Sequence, residues 1–354
     1  MNGYTVAEMN QPIRPLRPYA KEQKRLFVVA LLIGVGMLLQ ICGSSLLSTL
    51  LSYNTDIYNR YINDELFGLV IDMVYTSFCV FLPFVLVFFV MHKKGILKSL
   101  PLGSVYDPVN TSLLLFGGLG LCYVVNSIVS YLYIIMSSFG LDFYSMQQET
   151  ELITLTPSIL LLQVLRSAVL PALFEEFAYR GVVMQSLRRY GDWFAILVSA
   201  FLFGMIHGNM LQVPFAFLVG IILGYCTIVT GSMWCSIGIH FLNNFFALLQ
   251  SVVQSAAGET AATIYLTVIM NVSMIVGAIC LIVYVSRNRA FFRLRPSKFR
   301  FMMHKTSLVL CAPPVFISLG YYVYAILMDI VGFYEWFSES VGNLFYYFSS
   351  GTMY

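Results

Sequence analysis

Long runs of apolar residues dominate the chain and are separated by short polar segments. A helix needs about 20 apolar residues to cross a hydrocarbon core about 30 Å thick, and nine runs approach or exceed that length. The pattern therefore predicts an all-α polytopic membrane protein, a bundle of about nine transmembrane helices. The predicted spans are 26–51, 66–91, 111–138, 157–187, 193–208, 210–230, 233–255, 261–286 and 306–332.

The polar segments between the spans alternate in charge. Lys21, Lys24 and Arg25 directly precede the first span, with Arg14 and Arg17 further upstream. This predicts a cytoplasmic N-terminus, because cytoplasmic loops carry an excess of Lys and Arg. With nine spans, the C-terminus and the acidic segments fall outside and the basic segments inside. The basic segments are HKKGILK (92–98), RRYGD (188–192) and the loop 287–305; the acidic ones are NDE (63–65) and QQETE (147–151).

The composition agrees with a protein of the cell membrane. Of the 354 residues, 59% are hydrophobic and 10% are charged, whereas a soluble domain has about 25% charged residues. The net charge of +3 is small, and without a nucleic-acid motif it indicates the lipid bilayer rather than nucleic acid as partner. The seven cysteines form no CxxC pair, which makes a disulfide framework unexpected. We divide the chain into a tail (1–25), N-terminal helices (26–156), a catalytic core (157–255) and C-terminal helices (256–354) that include the basic loop.

The predicted core concentrates ionisable residues inside apolar runs. A charge at the centre of a spanning helix costs about 2.5–3.5 kcal/mol on insertion scales, so such residues are functional candidates by default. In the fourth span, Glu176 and Arg180 have the i,i+4 spacing at which they can pair within one helix. Glu175 is turned by about 100° from Glu176 and is therefore the freer base.

Two further motifs follow on later spans. Phe203 and His207 form FxxxH at the end of the fifth span, and His240 and Asn244 form HxxxN on the seventh. Each motif places its two residues on one helix face. A buried carboxylate can serve as a general base, and His and Asn donors can stabilise a developing oxyanion.

In this order, EExxxR, FxxxH and HxxxN resemble the CPBP family of intramembrane proteases, which includes the CAAX prenyl endopeptidases and bacterial Abi proteins. The resemblance implies that Glu175 activates a water with help from His207. It also implies that His240 and Asn244 stabilise the oxyanion, in a site whose supporting residues are Glu176, Arg180 and Phe203. The expected substrate is a membrane-associated peptide or protein: a CaaX peptide, a bacteriocin or pheromone precursor, or a membrane-anchored regulator.

Three alternatives remain open from the residues alone. Glu175, His207 and His240 could hold zinc, since carboxylate oxygen and imidazole nitrogen are ordinary zinc ligands, although HExxH is absent and we prefer a mechanism without a cofactor. The protein could instead be a non-catalytic scaffold or the partner of a membrane regulator, in which case the motif residues would have only a structural role. A proton-coupled transporter is a third possibility, but the sequence has no second EExxxR-like element that an internal repeat would supply.

Overall fold

Apolar helices make up the described part of the chain. The computed structural model describes residues 17–139, 152–288, 294–296 and 304–329, and every regular element in those ranges is helical. The helices are α1 (Arg17–Tyr53), α2 (Thr55–Asn63), α3 (Glu65–Lys93), α4 (Pro108–Ser138), α5 (Pro157–Tyr190), α6 (Asp192–Met205), α7 (Gln212–Thr230), α8 (Trp234–Ala257), α9 (Glu259–Arg287), α10 (Lys305–Leu310) and α11 (Pro313–Asp329).

Most of these helices can cross a bilayer. Within the described ranges, seven are long and apolar enough: α1, α3, α4, α5, α7, α8 and α9. Two shorter apolar helices, α6 and α11, correspond to the fifth and ninth predicted spans. The chain is therefore an all-α polytopic membrane protein, as predicted. The orientation of its termini stays a prediction, and the acidic segment 147–151 lies outside the described residues.

The helix boundaries differ from the predicted spans in three places. Helix α1 begins at Arg17, within the predicted tail. Helix α2 was not predicted at all; it is too short to span a membrane, and it begins after Asn54, whose side chain accepts the amide hydrogens of Asp56 and Ile57. The ninth span, predicted as one helix, is divided into α10 and α11. Two consecutive prolines, Pro313 and Pro314, explain the division, because proline is tolerated in the first turn of a helix but not in its interior.

Helices α3 and α5 contain wide, π-helical turns. The turns Thr76–Phe81 and Leu165–Val169 come just before Pro83 and Pro171, at which the i→i−4 hydrogen bond is lost. A third π-helical turn, Phe177–Val183, follows the two glutamates directly. Such turns often occur at functional sites, and the apolar periodicity of the sequence does not indicate them.

Small residues allow the closest helix contacts. A Cβ atom added to Gly120 on α4 would lie 2.8 Å from the Cα of Gly277 on α9, so the two backbones touch there. On α7, a Cβ atom added to Gly220 would lie 3.0 Å from the Cα of Ala200 on α6. Helix α11 packs on α1, and α5 packs against both α3 and α8. This arrangement brings the three motif-bearing segments together.

The polar end of α3 illustrates how its start is determined. The side chain of Asp64 accepts a hydrogen bond of 3.1 Å from the backbone amide of Phe67. That bond holds the pKa of the Asp64 carboxyl below its usual value, because it stabilises the charged form. Asp64 thus separates α2 from α3 as a helix cap.

Candidate active site

Helices α5 and α8 place one histidine between two glutamates. His240 Nδ1 lies 3.2 Å from Glu176 Oε1, and His240 Nε2 lies 3.9 Å from Glu175 Oε2. The two nitrogens are on different sides of the imidazole ring, so adjacent glutamates on one helix can flank it. The sequence indicated a Glu175 that faces away from the charge pair. In the structure it faces the same histidine as Glu176, from the other side.

Glu176 and Arg180 form the predicted pair inside α5. Arg180 Nη1 lies 2.9 Å from Glu176 Oε1, and their side chains are 1% and 0% exposed. This contact is an ion pair without the alignment of a hydrogen bond, and Glu176 Oε2 has no hydrogen-bond partner among the described residues. Because an unpaired charge at such depth is costly, each member of the pair depends on the other.

Two neighbouring helices complete the surroundings of Arg180. The guanidinium carbon lies 4.2 Å from the centroid of the Phe203 ring on α6, a cation–π contact. Arg180 Nη2 also donates to the backbone carbonyl of Gly220 on α7 at 3.5 Å. Close packing of α6 and α7 at Gly220 leaves that carbonyl within reach. Arg180 thereby connects α5 to both helices.

Glu175 is the more accessible carboxylate of the site. Its side chain is 18% exposed, whereas that of Glu176 is fully buried. Phe174, the preceding residue, stacks on Phe81 of α3 with ring centroids 4.2 Å apart, which holds this turn of α5 in place. The more exposed of the two carboxylates is therefore Glu175, the one predicted to be the base.

His207 joins the site through Phe203. It lies in the turn after α6, which ends at Met205 rather than at the predicted 208. His207 Nδ1 lies 3.0 Å from the Phe203 carbonyl oxygen. Since a carbonyl only accepts, Nδ1 is the donor and Nε2 of the neutral ring is left as an acceptor. Among the described contacts, no hydrogen bond or ion pair joins His207 directly to Glu175.

Phe203, which the resemblance implies is a supporting residue, contacts several aromatic side chains of the site. Its ring lies edge-on to His207 at 5.1 Å, to His240 at 6.0 Å and to Tyr179 at 5.4 Å. Together with the contact to Arg180, this makes Phe203 the common neighbour of all three motifs.

Asn244 contacts a neighbour that the sequence motif does not include. Asn243 Nδ2 donates to Asn244 Oδ1 at 3.3 Å. An amide has one oxygen acceptor and two N–H donors, so this bond leaves the donors of Asn244 available for another group. Asn243 lies at a variable position within HxxxN, so the motif gave it no role.

The structure adds two more groups that sequence reasoning missed. One is the Gly220 carbonyl, whose contact with Arg180 no sequence motif indicated. The other is Tyr179, which is fully buried and whose hydroxyl has no hydrogen-bond partner among the described residues. Tyr179 lies one turn after Glu175, a spacing that could have singled it out.

The zinc alternative requires Glu175, His207 and His240 to converge. In the described ranges, no group of three or more His, Cys, Asp or Glu side chains is arranged to hold a metal ion. The preference for a mechanism without a metal stays a prediction. We derive no chemical step through a metal.

The comparisons with known proteins concern this same part of the chain. Residues 157–246 match the family model of type II CAAX prenyl endopeptidase Rce1-like proteins. No curated protein and no solved structure matched the chain. The matched range contains all of α5, α6 and α7 and the first half of α8, with all three motifs. Through this segment the chain is related to the CPBP family of intramembrane proteases, as its motifs indicate.

Proposed function

We propose that the protein is a CAAX-type intramembrane endopeptidase in which Glu175 activates the attacking water. The observation that supports this most is the position of His240, held between the buried Glu176 and the partly accessible Glu175. These three residues lie within the segment that matches a protease family. A purely structural charge pair would not need a second carboxylate on the far side of the imidazole.

In the proposed reaction, a water molecule is held between Glu175 and the acceptor Nε2 of His207. Glu175 takes one proton, and the hydroxide attacks the carbonyl carbon of the scissile peptide bond. The carbonyl π electrons move to oxygen and give a tetrahedral oxyanion. When this collapses, the C–N bond breaks, and the proton on Glu175 passes to the leaving amine. The same carboxyl group is thus base first and acid afterwards.

His240 and Asn244 supply the donors for the oxyanion. An ionised Glu176 can only accept, so His240 Nδ1 donates to it and the ring is fixed in direction. His240 Nε2 then faces the side of Glu175. When Nε2 carries a proton, it donates a hydrogen bond to the oxyanion. Asn243 holds the oxygen of the Asn244 amide, which turns the amide hydrogens towards other acceptors. Donors that are oriented before the reaction stabilise the transition state without reorganisation.

The proposed substrate is a membrane-associated peptide with a prenylated C-terminal CaaX sequence. The name of the matched family supports this choice over a bacteriocin or pheromone precursor and over a membrane-anchored regulator. No cofactor is part of the proposal. The charged cluster lies on helices able to span a bilayer, which suits a bond presented close to the membrane.

The test uses the full chain in proteoliposomes with a farnesylated CaaX peptide. Mass spectrometry would follow release of the C-terminal tripeptide by wild type, Glu175→Gln and Glu259→Gln. Loss of the general base should lower kcat/KM by roughly 10²- to 10⁴-fold. The matched control should keep wild-type activity, because Glu259 is exposed at the start of α9, away from the site.

Each part of the proposal has an outcome that contradicts it. Activity retained in Glu175→Gln would remove Glu175 from the base role, and activity lost on adding a chelator would contradict the metal-independent mechanism. If wild type leaves the CaaX peptide intact, comparison of peptide termini in membranes containing wild type or Glu175→Gln would identify another substrate. Identical termini in the two membranes would overturn the protease proposal.

A further inference from the structure

A cavity lined by both hydroxyl-bearing and aliphatic side chains lies between α1, α2 and α3, apart from the α5–α8 site. Its volume is about 340 Å³, at the lower end of the range of roughly 300–1,000 Å³ for small-molecule pockets. Most of its lining side chains carry a hydroxyl group, and a minority are aliphatic. The lining residues are Ser44, Leu47, Ser48, Leu51, Ser52, Tyr58, Tyr61, Ile71, Asp72 and Tyr75.

The charge in this lining is already compensated. Asp72 is the sole ionisable Asp, Glu, Lys or Arg among the lining residues. Its Oδ2 lies 2.8 Å from Arg166 Nη2 of α5, and its Oδ1 accepts from the Tyr61 hydroxyl at 3.0 Å. A cationic ligand would have to compete with Arg166, and an anionic ligand would find no cation in the lining. The lining therefore favours an uncharged ligand.

The remaining polar groups are suited to hydroxyls. Serine and tyrosine hydroxyls each donate one hydrogen bond and also accept, so they are complementary to a ligand that does both. The hydroxyls of Ser44, Ser52, Tyr61 and Tyr75 already take part in hydrogen bonds within the protein. Among the described contacts, those of Ser48 and Tyr58 do not, and a polar side chain facing lipid is unfavourable without a partner. A ligand with hydroxyl groups would supply partners to these two. The aliphatic residues Leu47, Leu51 and Ile71 provide a less polar wall beside them.

The position of the cavity indicates where such a ligand comes from. The cavity lies at the end of α1 opposite to the basic residues Lys21 and Lys24. At the same end of α1, helix α2 exposes the apolar residues Ile57 and Ile62. The charged residues Arg60 and Asp64 lie beside them, and their side chains are 62% and 39% exposed. A short helix with both apolar and charged exposed residues is typical of the membrane interface. The cavity is therefore level with lipid headgroups.

We propose that this cavity binds the uncharged polyhydroxyl headgroup of a membrane lipid, such as a glycosyl diacylglycerol. The headgroup hydroxyls bond to the hydroxyls of Ser48 and Tyr58, and the glycerol and upper acyl chains lie along the aliphatic wall. This site is independent of the proposed peptidase activity, because none of its lining residues contributes to the α5–α8 cluster.

The experiment measures lipid binding to the full chain in phosphatidylcholine nanodiscs by native mass spectrometry. The probe is glucosyl diacylglycerol, and the reference lipid is diacylglycerol without the sugar. Ser48→Ala and Tyr58→Phe each remove one lining hydroxyl. Their matched controls are Ser45→Ala and Tyr53→Phe, which make the same changes at exposed positions outside the lining.

We expect the sugar-bearing lipid to bind more tightly than diacylglycerol. Each lining variant should weaken that binding by about two- to tenfold, the effect of one hydrogen bond, while the controls should not change it. Equal binding of the two lipids, or equal losses in lining and control variants, would overturn the proposal. If millimolar glucose alone displaced the lipid, the ligand would be a free sugar, and the proposal that the cavity binds a lipid headgroup would be wrong.

Discussion

Two carboxylate–guanidinium pairs in this protein have similar N–O distances but differ in the exposure of their side chains. Glu176–Arg180 and Asp72–Arg166 have N–O separations of 2.9 and 2.8 Å, and both arginines belong to α5. The side chains of the first pair are at most 1% exposed. In the second pair, Arg166 is 43% and Asp72 24% exposed.

The difference shows that distance alone does not identify a functional charge pair. The buried pair lies within one helix and shares Glu176 with His240, so its carboxylate serves two partners. The open pair joins α3 to α5, and Tyr61 supplies the additional donor. Burial makes the members of the first pair interdependent, whereas solvent or headgroup access weakens the second.

The largest expected effect concerns the buried arginine. Arg180→Met would leave Glu176 as a buried charge without its arginine partner, and breaking such a pair costs about 3–5 kcal/mol. The matched variant Arg166→Met removes the same group from the same helix, but it should cost about 1 kcal/mol or less, because that pair is partly exposed. Unfolding in SDS titrations would measure both losses. Similar losses in the two variants would contradict the distinction drawn from burial.

An intermediate effect is expected at the histidine that separates the two glutamates. His240→Asn should lower kcat on the CaaX peptide by roughly 10²- to 10³-fold, the usual result of removing one oxyanion donor. His92→Asn is the matched control, since His92 is exposed and its recorded contact is stacking on Phe88. A changed KM with unchanged kcat would place His240 in substrate binding instead of oxyanion stabilisation.

The smallest effect is the coupling within the open pair. A double-mutant cycle of Asp72→Asn with Arg166→Met should give about 0.2–1 kcal/mol, as for other exposed pairs. The corresponding cycle of Glu176→Gln with Arg180→Met should reach the upper part of the range of about 0.5–3 kcal/mol for contacting residues. The Glu176→Gln/Arg180→Met double variant could recover part of the stability that Arg180→Met loses without recovering hydrolysis. That result would show that the pair stabilises the fold by balancing charge and that hydrolysis needs the two residues themselves. Equal coupling energies in the two cycles would show that the two pairs are alike.

Much of the architecture and part of the site could be predicted from the sequence. Runs of apolar residues are sufficient to predict spanning helices, because helix length and lipid thickness have a simple relation. The Glu176–Arg180 pair followed from i,i+4 spacing, which is a property of one helix.

Other features could not be predicted in this way. The break before Pro313 was missed because the apolar run continues across it. The π-helical turn Phe177–Val183 was missed because no proline or glycine pattern in the sequence specifies its position. Glu175 was expected to point away from the pair because adjacent residues are rotated by about 100° around a helix. That rotation says nothing about the His240 ring, which comes from another helix and lies between the two glutamates.

What the sequence alone determined is therefore local: the apolar spans, the charge pair one turn apart and the order of three motifs. The tertiary structure decided what each motif faces. It placed His240 between Glu175 and Glu176, joined His207 to the cluster through Phe203, and directed a Gly220 carbonyl to Arg180. Spacing determines direction within one helix, but contacts between helices depend on how whole side-chain surfaces pack together, and that information is distributed over the entire chain.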